Sequence, residues 1–177
     1  MKAMVLRAKS LILIALFNIV FLLGGCGDGN QHRQLSEEQV KEQLLQYNKS
    51  RVTQEDSLID RYVRKHRLNF ITSKTGMRYA LEPNDRFVPL KTEDLVSVRY
   101  RMHLMDSTLC YDNFEGEPLR FVVNGSDVAS GFHELVQLTG RGGAARSIWP
   151  ARLGYGVAGD LDCVPLEAVL LVDVEVE

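Results

Sequence analysis

LVSVRYRMHLM, residues 95–105, alternates without a break: Val96, Val98, Tyr100, Met102 and Leu104 face one way, Ser97, Arg99, Arg101 and His103 the other. A period of two over ten residues marks a β-strand with one face buried and one solvated, as antiparallel sheets have. Downstream, Leu119, Phe121 and Val123 repeat the pattern after Pro118, and Ala144 to Trp149 is another strand candidate. Val172, Val174 and Val176 then alternate against Asp173, Glu175 and Glu177. Upstream, Met77, Tyr79 and Leu81 alternate with Arg78, Ala80 and Glu82 until Pro83-Asn84-Asp85 breaks the run. Between the strands, Ser130 to Leu138 has helical period, with Phe132, Leu135 and Val136 on one side and Gly140 as a stop. Residues 76–177 are therefore expected to form an α+β domain, several half-buried strands in an antiparallel sheet with one short helix.

Residues 36–75 read as a helical segment. Ser36-Glu37-Glu38-Gln39 matches a capping box, and Val40, Leu44 and Tyr47 follow at helical spacing. Thr53 is suited to cap a second helix, in which Leu58, Ile59, Tyr62 and Val63 line one face. The basic run Arg64-Lys65-His66-Arg67 suits the negative end of a helix dipole and a solvated surface.

The first 25 residues read as an address. Lys2, Arg7 and Lys9 precede LILIALFNIVFLL at 11–23, an apolar run too short for the ~20 residues of a bilayer-spanning helix and right for a signal-peptide core. Leu23-Gly24-Gly25-Cys26 resembles the lipobox of bacterial lipoproteins, which implies cleavage before Cys26, diacylation of its thiol and residence in the cell envelope. Gly27 to Leu35 is small and polar, so that 26–35 reads as a lipidated tether. Losing three bases from a chain of net charge −2 leaves −5, so attachment to a membrane rests on the acyl chains of Cys26 and not on basic residues. With 21 basic against 23 acidic residues, no nucleic-acid partner is expected.

Charge-driven chemistry finds little support. Gly140-Arg141-Gly142-Gly143 lacks the lysine and hydroxyl of a phosphate loop and reads as a turn. Asp160 and Asp162 lack the ligand spacing of a calcium loop, and His32, His66, His103 and His133 are scattered, each read as a surface histidine. No metal or cofactor is implied. What remains is a site with apolar and aromatic walls.

From Val96 onward the order of residues is similar to an FKBP-type peptidyl-prolyl isomerase domain. The most specific features are Gly154-Tyr155-Gly156, then Val164-Pro165, Ala168 and Val172-Asp173-Val174-Glu175, with Val128-Ala129-Ser130-Gly131-Phe132 upstream. The resemblance covers 95–177, and with the helical front and the lipobox it looks most like the gliding-motility-associated FKBP lipoproteins of diderm bacteria. It implies an antiparallel sheet of about five strands curled around a short helix with a pocket between them, and isomerisation of X–Pro bonds in proline-containing clients. It implies that Tyr155 and the backbone N–H of Ala129 hold substrate carbonyls and that Phe132 is the floor, standing where the family usually has tryptophan. Tyr100, Phe121, Val128, Val164 and Val172 would form the wall, with Leu119 at a family aromatic position. Cys110-Tyr111 replaces the family's phenylalanine and aspartate, so a wider pocket is expected, with the Tyr111 hydroxyl or Asp112 as the candidate substitutes for the lost carboxylate. Cys110 and Cys163 map to the pocket border; the reading leans to two reduced thiols over a disulfide across the mouth. The reading for the whole is a lipid-anchored prolyl isomerase assisting folding of envelope or secreted proteins, the alternative being an FKBP-like chaperone or binding module with little turnover.

Overall fold

The computed structural model describes residues 36–177 except Arg86, so the expected signal segment 1–25, the lipidation site Cys26 and the tether to residue 35 lie outside the described residues. Helix α1 spans Glu37–Lys65. The capping box closes as expected: the Gln39 N–H donates to the Ser36 hydroxyl (3.3 Å) and the Ser36 N–H to the Gln39 side-chain Oε1 (3.0 Å).

The second cap does not form. Thr53 turns its hydroxyl back to the Lys49 carbonyl (3.0 Å) and Ser50 does the same to Tyr47 (2.8 Å), so both satisfy their hydroxyls inside one continuous helix. The two expected helices are one. Its end is a Schellman turn: the Leu68 N–H reaches the Val63 carbonyl, the Arg67 N–H reaches Arg64, and Arg67 takes the left-handed conformation at φ 54°. The basic run 64–67 is exposed there, as expected.

Among the described residues the sheet is wholly antiparallel and has seven strands, against about five expected. They are β1 (Ile71–Thr72), β2 (Arg78–Leu81), β3 (Leu95–Leu104), β4 (Leu109–Asp112), β5 (Leu119–Val122), β6 (Ala144–Trp149) and β7 (Leu170–Val176). Their order is β1-β2-β6-β7-β3-β4. Val98 pairs with both Val176 and Leu119, which puts β5 on the same side of β3 as β4. β3 and β7 form the central ladder, with Tyr100 opposite Val174 and Met102 opposite Val172.

One face of the sheet packs on helix α2 (Ser130–Thr139) through Val96, Val98, Met102, Phe121, Phe132, Leu135, Trp149 and Val172, all buried. The other face is covered by α1: Ile59 is fully buried with Ile148 and Val169, beside Tyr62 and Val63. That second layer corrects the expectation of an outward Arg78. Its side chain is 7% exposed, and its guanidinium is clamped by Asp56 (2.9 Å) and Asp60 (2.7 Å) of α1. A lone buried guanidinium would be costly, and the two aspartates sit one turn apart so that both reach it.

α2 lies unusually close to β6. A Cβ on Gly131 would come within 2.5 Å of the Trp149 indole, so no larger residue fits without moving the helix. Gly140 ends α2 at φ 72°, and Gly140 to Gly143 is the turn the sequence predicts.

Candidate functional site

The strand–helix sandwich brings most of the expected residues together. Phe132, in the first turn of α2, makes edge contacts to Tyr100 of β3 (centroids 4.9 Å, 73°) and to Trp149 of β6 (4.9 Å, 90°), with Phe121 of β5 at 6.1 Å. Such edge-to-face pairs favour fixed ring orientations over mere filling. Phe121, Val164 and Val172 are as buried as Phe132, at 2%, 3% and 1% exposure against its 3%. They support the floor from within. Little of the surface of these four residues is open to solvent.

The partly exposed members are Tyr100, Cys110, Tyr111, Leu119, Val128, Ala129 and Tyr155, all packed against the same core. Tyr100 is fixed by a device that periodicity does not show. Asn113 bridges the gap between β4 and β5, its side-chain oxygen accepting from the Tyr100 N–H (2.6 Å) and its N–H donating to the Tyr100 carbonyl (3.1 Å).

Two donors stand free beside this floor. The Ala129 N–H and the Tyr155 hydroxyl have no hydrogen-bond partner among the described residues. Ala129 precedes α2 in extended conformation and no side chain caps the helix; the Ser130 hydroxyl instead points to the Leu153 carbonyl (3.4 Å). The first-turn N–H groups are therefore uncapped by side chains. Burial pushes the Tyr155 hydroxyl above the ordinary tyrosine range, helped by Tyr100 and Asp160 nearby, so it stays protonated and able to donate.

The far wall is built from Tyr111, Asp160 and the cysteines. The Tyr111 hydroxyl donates to Asp160 Oδ2, while Asp160 Oδ1 accepts from the N–H groups of Asp162 (2.9 Å) and Val164 (2.8 Å). Partial burial pushes the Asp160 carboxyl up, but these donors outweigh it and hold it below the usual range. The Tyr111 ring lies 6.4 Å from that of Tyr155. Asp112 takes no part, since Arg101 holds it at 2.7 Å.

Cys110 and Cys163 form a disulfide, with Cα atoms 5.4 Å apart, joining β4 to the segment that carries Asp160 and Val164. The leaning toward reduced thiols is corrected: β4 was not legible as a strand, so the approach of its Cys110 to Cys163 was not either. His133 is likewise no surface histidine. Its Nδ1 accepts from the Asn124 N–H (3.0 Å), and its ring packs on Phe121 (5.3 Å). Asp160, Asn113 and Trp149 are the contributors the sequence did not assign. Asp160 stood out as a carboxylate near Asp162, but its partner Tyr111 lies 49 residues away. Among the described residues no cluster of three or more metal-ligating side chains exists.

Comparison with known proteins places this geometry. A family model described as FKBP-type peptidyl-prolyl cis-trans isomerase matches residues 88–177. The chain is similar to a probable FKBP-type peptidyl-prolyl cis-trans isomerase of Haemophilus influenzae, 30% identical over 59% of this chain and 43% of that one. It is also similar to peptidyl-prolyl cis-trans isomerase FKBP15-2 of Arabidopsis thaliana, 30% identical over 61% of this chain and 71% of that one. The match thus spans less than half of the Haemophilus protein. The crystal structure of FkpA from Escherichia coli shares the fold, with a TM-score of 0.60 and 24% identity over 96% of this chain and 93% of that chain. An antiparallel sheet packed on α2, the Gly-Tyr-Gly turn and a family match over half the chain lead to one assignment: the chain belongs to the FKBP-type peptidyl-prolyl cis-trans isomerase family.

Proposed function

We propose that the chain accelerates cis/trans isomerisation of X–Pro bonds in protein clients of the cell envelope, held to a membrane by acylated Cys26. The observation that carries the catalytic part is the pair of unpartnered donors, the Ala129 N–H and the Tyr155 hydroxyl, beside the Phe132 floor. An X–Pro bond turns slowly because amide resonance imposes a barrier of ~18–20 kcal/mol. Resonance puts negative charge on oxygen and double-bond character on C–N. An apolar surface that strips water from the bond disfavours the planar, more dipolar form. Donors that fix the flanking carbonyls then hold the twisted form by shape, with no proton or covalent bond transferred.

The test uses the chain from Gly27 onward with X–Pro peptides followed by exchange NMR. Acceleration is expected, and Tyr155→Phe should lower kcat/KM about three- to tenfold, the worth of one neutral hydrogen bond. A folded protein without acceleration overturns the reading. A second reading, capture of client segments without turnover, draws support from apolar side chains displayed on the loop that carries Tyr155. Leu161 is 98% exposed, Leu166 68% and Val157 63%. Peptide-induced shifts at Tyr155 without exchange enhancement would select it.

The anchoring part rests on the lipobox-like Leu23-Gly24-Gly25-Cys26. In cells, Cys26→Ser should move the protein from the membrane fraction to the soluble one, because without acyl chains an acidic surface has no strong hold on anionic lipid. An unchanged distribution argues against the anchor.

A further inference from the structure

We infer that Arg51 and Glu55 of α1 are positioning residues for Tyr155, so that the N-terminal helix sets the geometry of the candidate isomerase site. The inference rests on the isomerase reading for its kinetic effect, though not for its structural one. The two residues are four apart and oppositely charged, an arrangement that ordinarily pairs along the helix surface. Here each reaches outward to the loop between β6 and β7. Glu55 Oε1 accepts the Ala151 N–H (2.5 Å), and Glu55 Oε2 meets Arg152 Nη1 (3.2 Å). Arg51 Nη2 meets Glu167 Oε1 at 2.8 Å.

Both anchor points are wired to the two sides of Tyr155. The Ala151 carbonyl accepts the N–H groups of Gly154 (3.0 Å) and Gly156 (2.8 Å), which flank the tyrosine. The Gly156 carbonyl in turn accepts the Glu167 N–H (3.1 Å). Glu167 holds a left-handed φ of 59°, and Gly156 one of 64° with nothing within 4 Å of where a Cβ would sit. The turn is thus neither packed from that side nor in a conformation that side chains favour. On the Gly156 side its position depends on the bonds at its ends, while Gly154 rests on Leu170 and the Tyr155 ring on the core.

The helix touches the loop at these points across a groove of about 560 Å3, whose lining includes Arg51, Glu55, Arg152, Val157 and Glu167. The polar anchors bridge this groove, and apolar packing of the helix on the end of the loop begins beyond it, at Ile59 with Val169. Farther along, Ile59 and the clasp of Asp56 and Asp60 on Arg78 keep the helix on the sheet. The anchors can be removed while the helix stays docked.

The experiment uses the full chain with ring-labelled tyrosine, the Tyr155 signal being assigned by Tyr155→Phe. Arg51→Glu and Glu55→Ala are each expected to shift the Tyr155 ring resonance and to lower kcat/KM on an X–Pro peptide about fivefold, mostly in kcat. Combining Arg51→Glu with Glu167→Arg restores the ion pair in reverse and should return both readouts to within about twofold of the parent. Lys49→Ala, on the exposed surface of the same helix, should change neither. An unmoved Tyr155 signal in both single variants overturns the inference, as does a loss that the reversed pair fails to recover. If the parent does not catalyse isomerisation, the isomerase reading falls and the Tyr155 resonance alone decides the clamp.

Discussion

Replacing Cys110 and Cys163 by serine is expected to lower the free energy of unfolding by about 4 kcal/mol, and reduction of the parent protein should do the same. The two sulfurs join residues 53 apart in sequence. Closing a loop of that length removes about 14 cal/mol/K from the unfolded chain, about 4 kcal/mol at 25 °C. The effect falls mostly on the unfolded state, so the native site should survive reduction in strong native conditions. Tyr111 and Asp160 still link the same two segments beside the missing bond. Guanidinium unfolding with and without reductant checks this. The midpoint should drop on reduction, by an amount near 4 kcal/mol when multiplied by m. The slope should rise as the freed unfolded chain exposes more surface. The double serine variant should be blind to reductant. A shift below about 1 kcal/mol would mean that the loop is already restrained in the unfolded ensemble.

The parts of the fold that were legible are those where one physical rule acts within a few residues. The alternation of 95–105 gave β3 to within one residue, because every other side chain meets the same core. The helix expected at Ser130 to Leu138 is observed at Ser130–Thr139, with the glycine after it at positive φ. The capping box at Ser36 formed because both of its bonds are local. Where two rules competed, the reading went astray. Thr53 has the chemistry of a cap, but a hydroxyl inside a helix can also bond back four residues, and nothing nearby breaks the helix there. Arg78 follows the outward phase of β2, yet this sheet is covered on both faces, and its two aspartates lie 18 and 22 residues earlier.

The site divides in the same way. Phe132, Tyr155, Ala129 and Tyr100 were reached through resemblance, and the structure packs them against one core. Those read as wall but found buried, Phe121, Val164 and Val172, sit on the inward phase of their segments, and the pattern that makes a residue core is the same that makes it pocket lining. Only depth separates the two, and depth is set by what covers the sheet. Tyr111 with Asp160, Cys110 with Cys163 and Asn113 with Tyr100 are pairings across loops. Side-chain periodicity carries no information about them.

Phe132→Ala should cost about 3–5 kcal/mol of stability, the range for emptying a buried aromatic site. It removes edge contacts to Tyr100 and Trp149 at once, and a tilted, more distant contact to Phe121. The loss should sit at the upper end, because the surroundings have little freedom to collapse. Trp149 is pinned beneath α2 by the close approach of Gly131, and Phe121 is braced on its other side by His133. A stability loss alone does not separate a floor for a proline ring from an ordinary core residue. Phe132→Leu makes that separation. It keeps most of the volume at a cost of about 1–3 kcal/mol, less than the alanine change, but it withdraws the flat aromatic face. If a substrate proline rests on Phe132, the leucine variant should lose about tenfold in kcat/KM on X–Pro peptides while remaining folded, since about 1.4 kcal/mol of transition-state contact is worth that factor. Calorimetry and exchange NMR on the two variants read both quantities. Full activity in Phe132→Leu would assign the residue to the core alone and leave the donors of Ala129 and Tyr155 to act over some other surface.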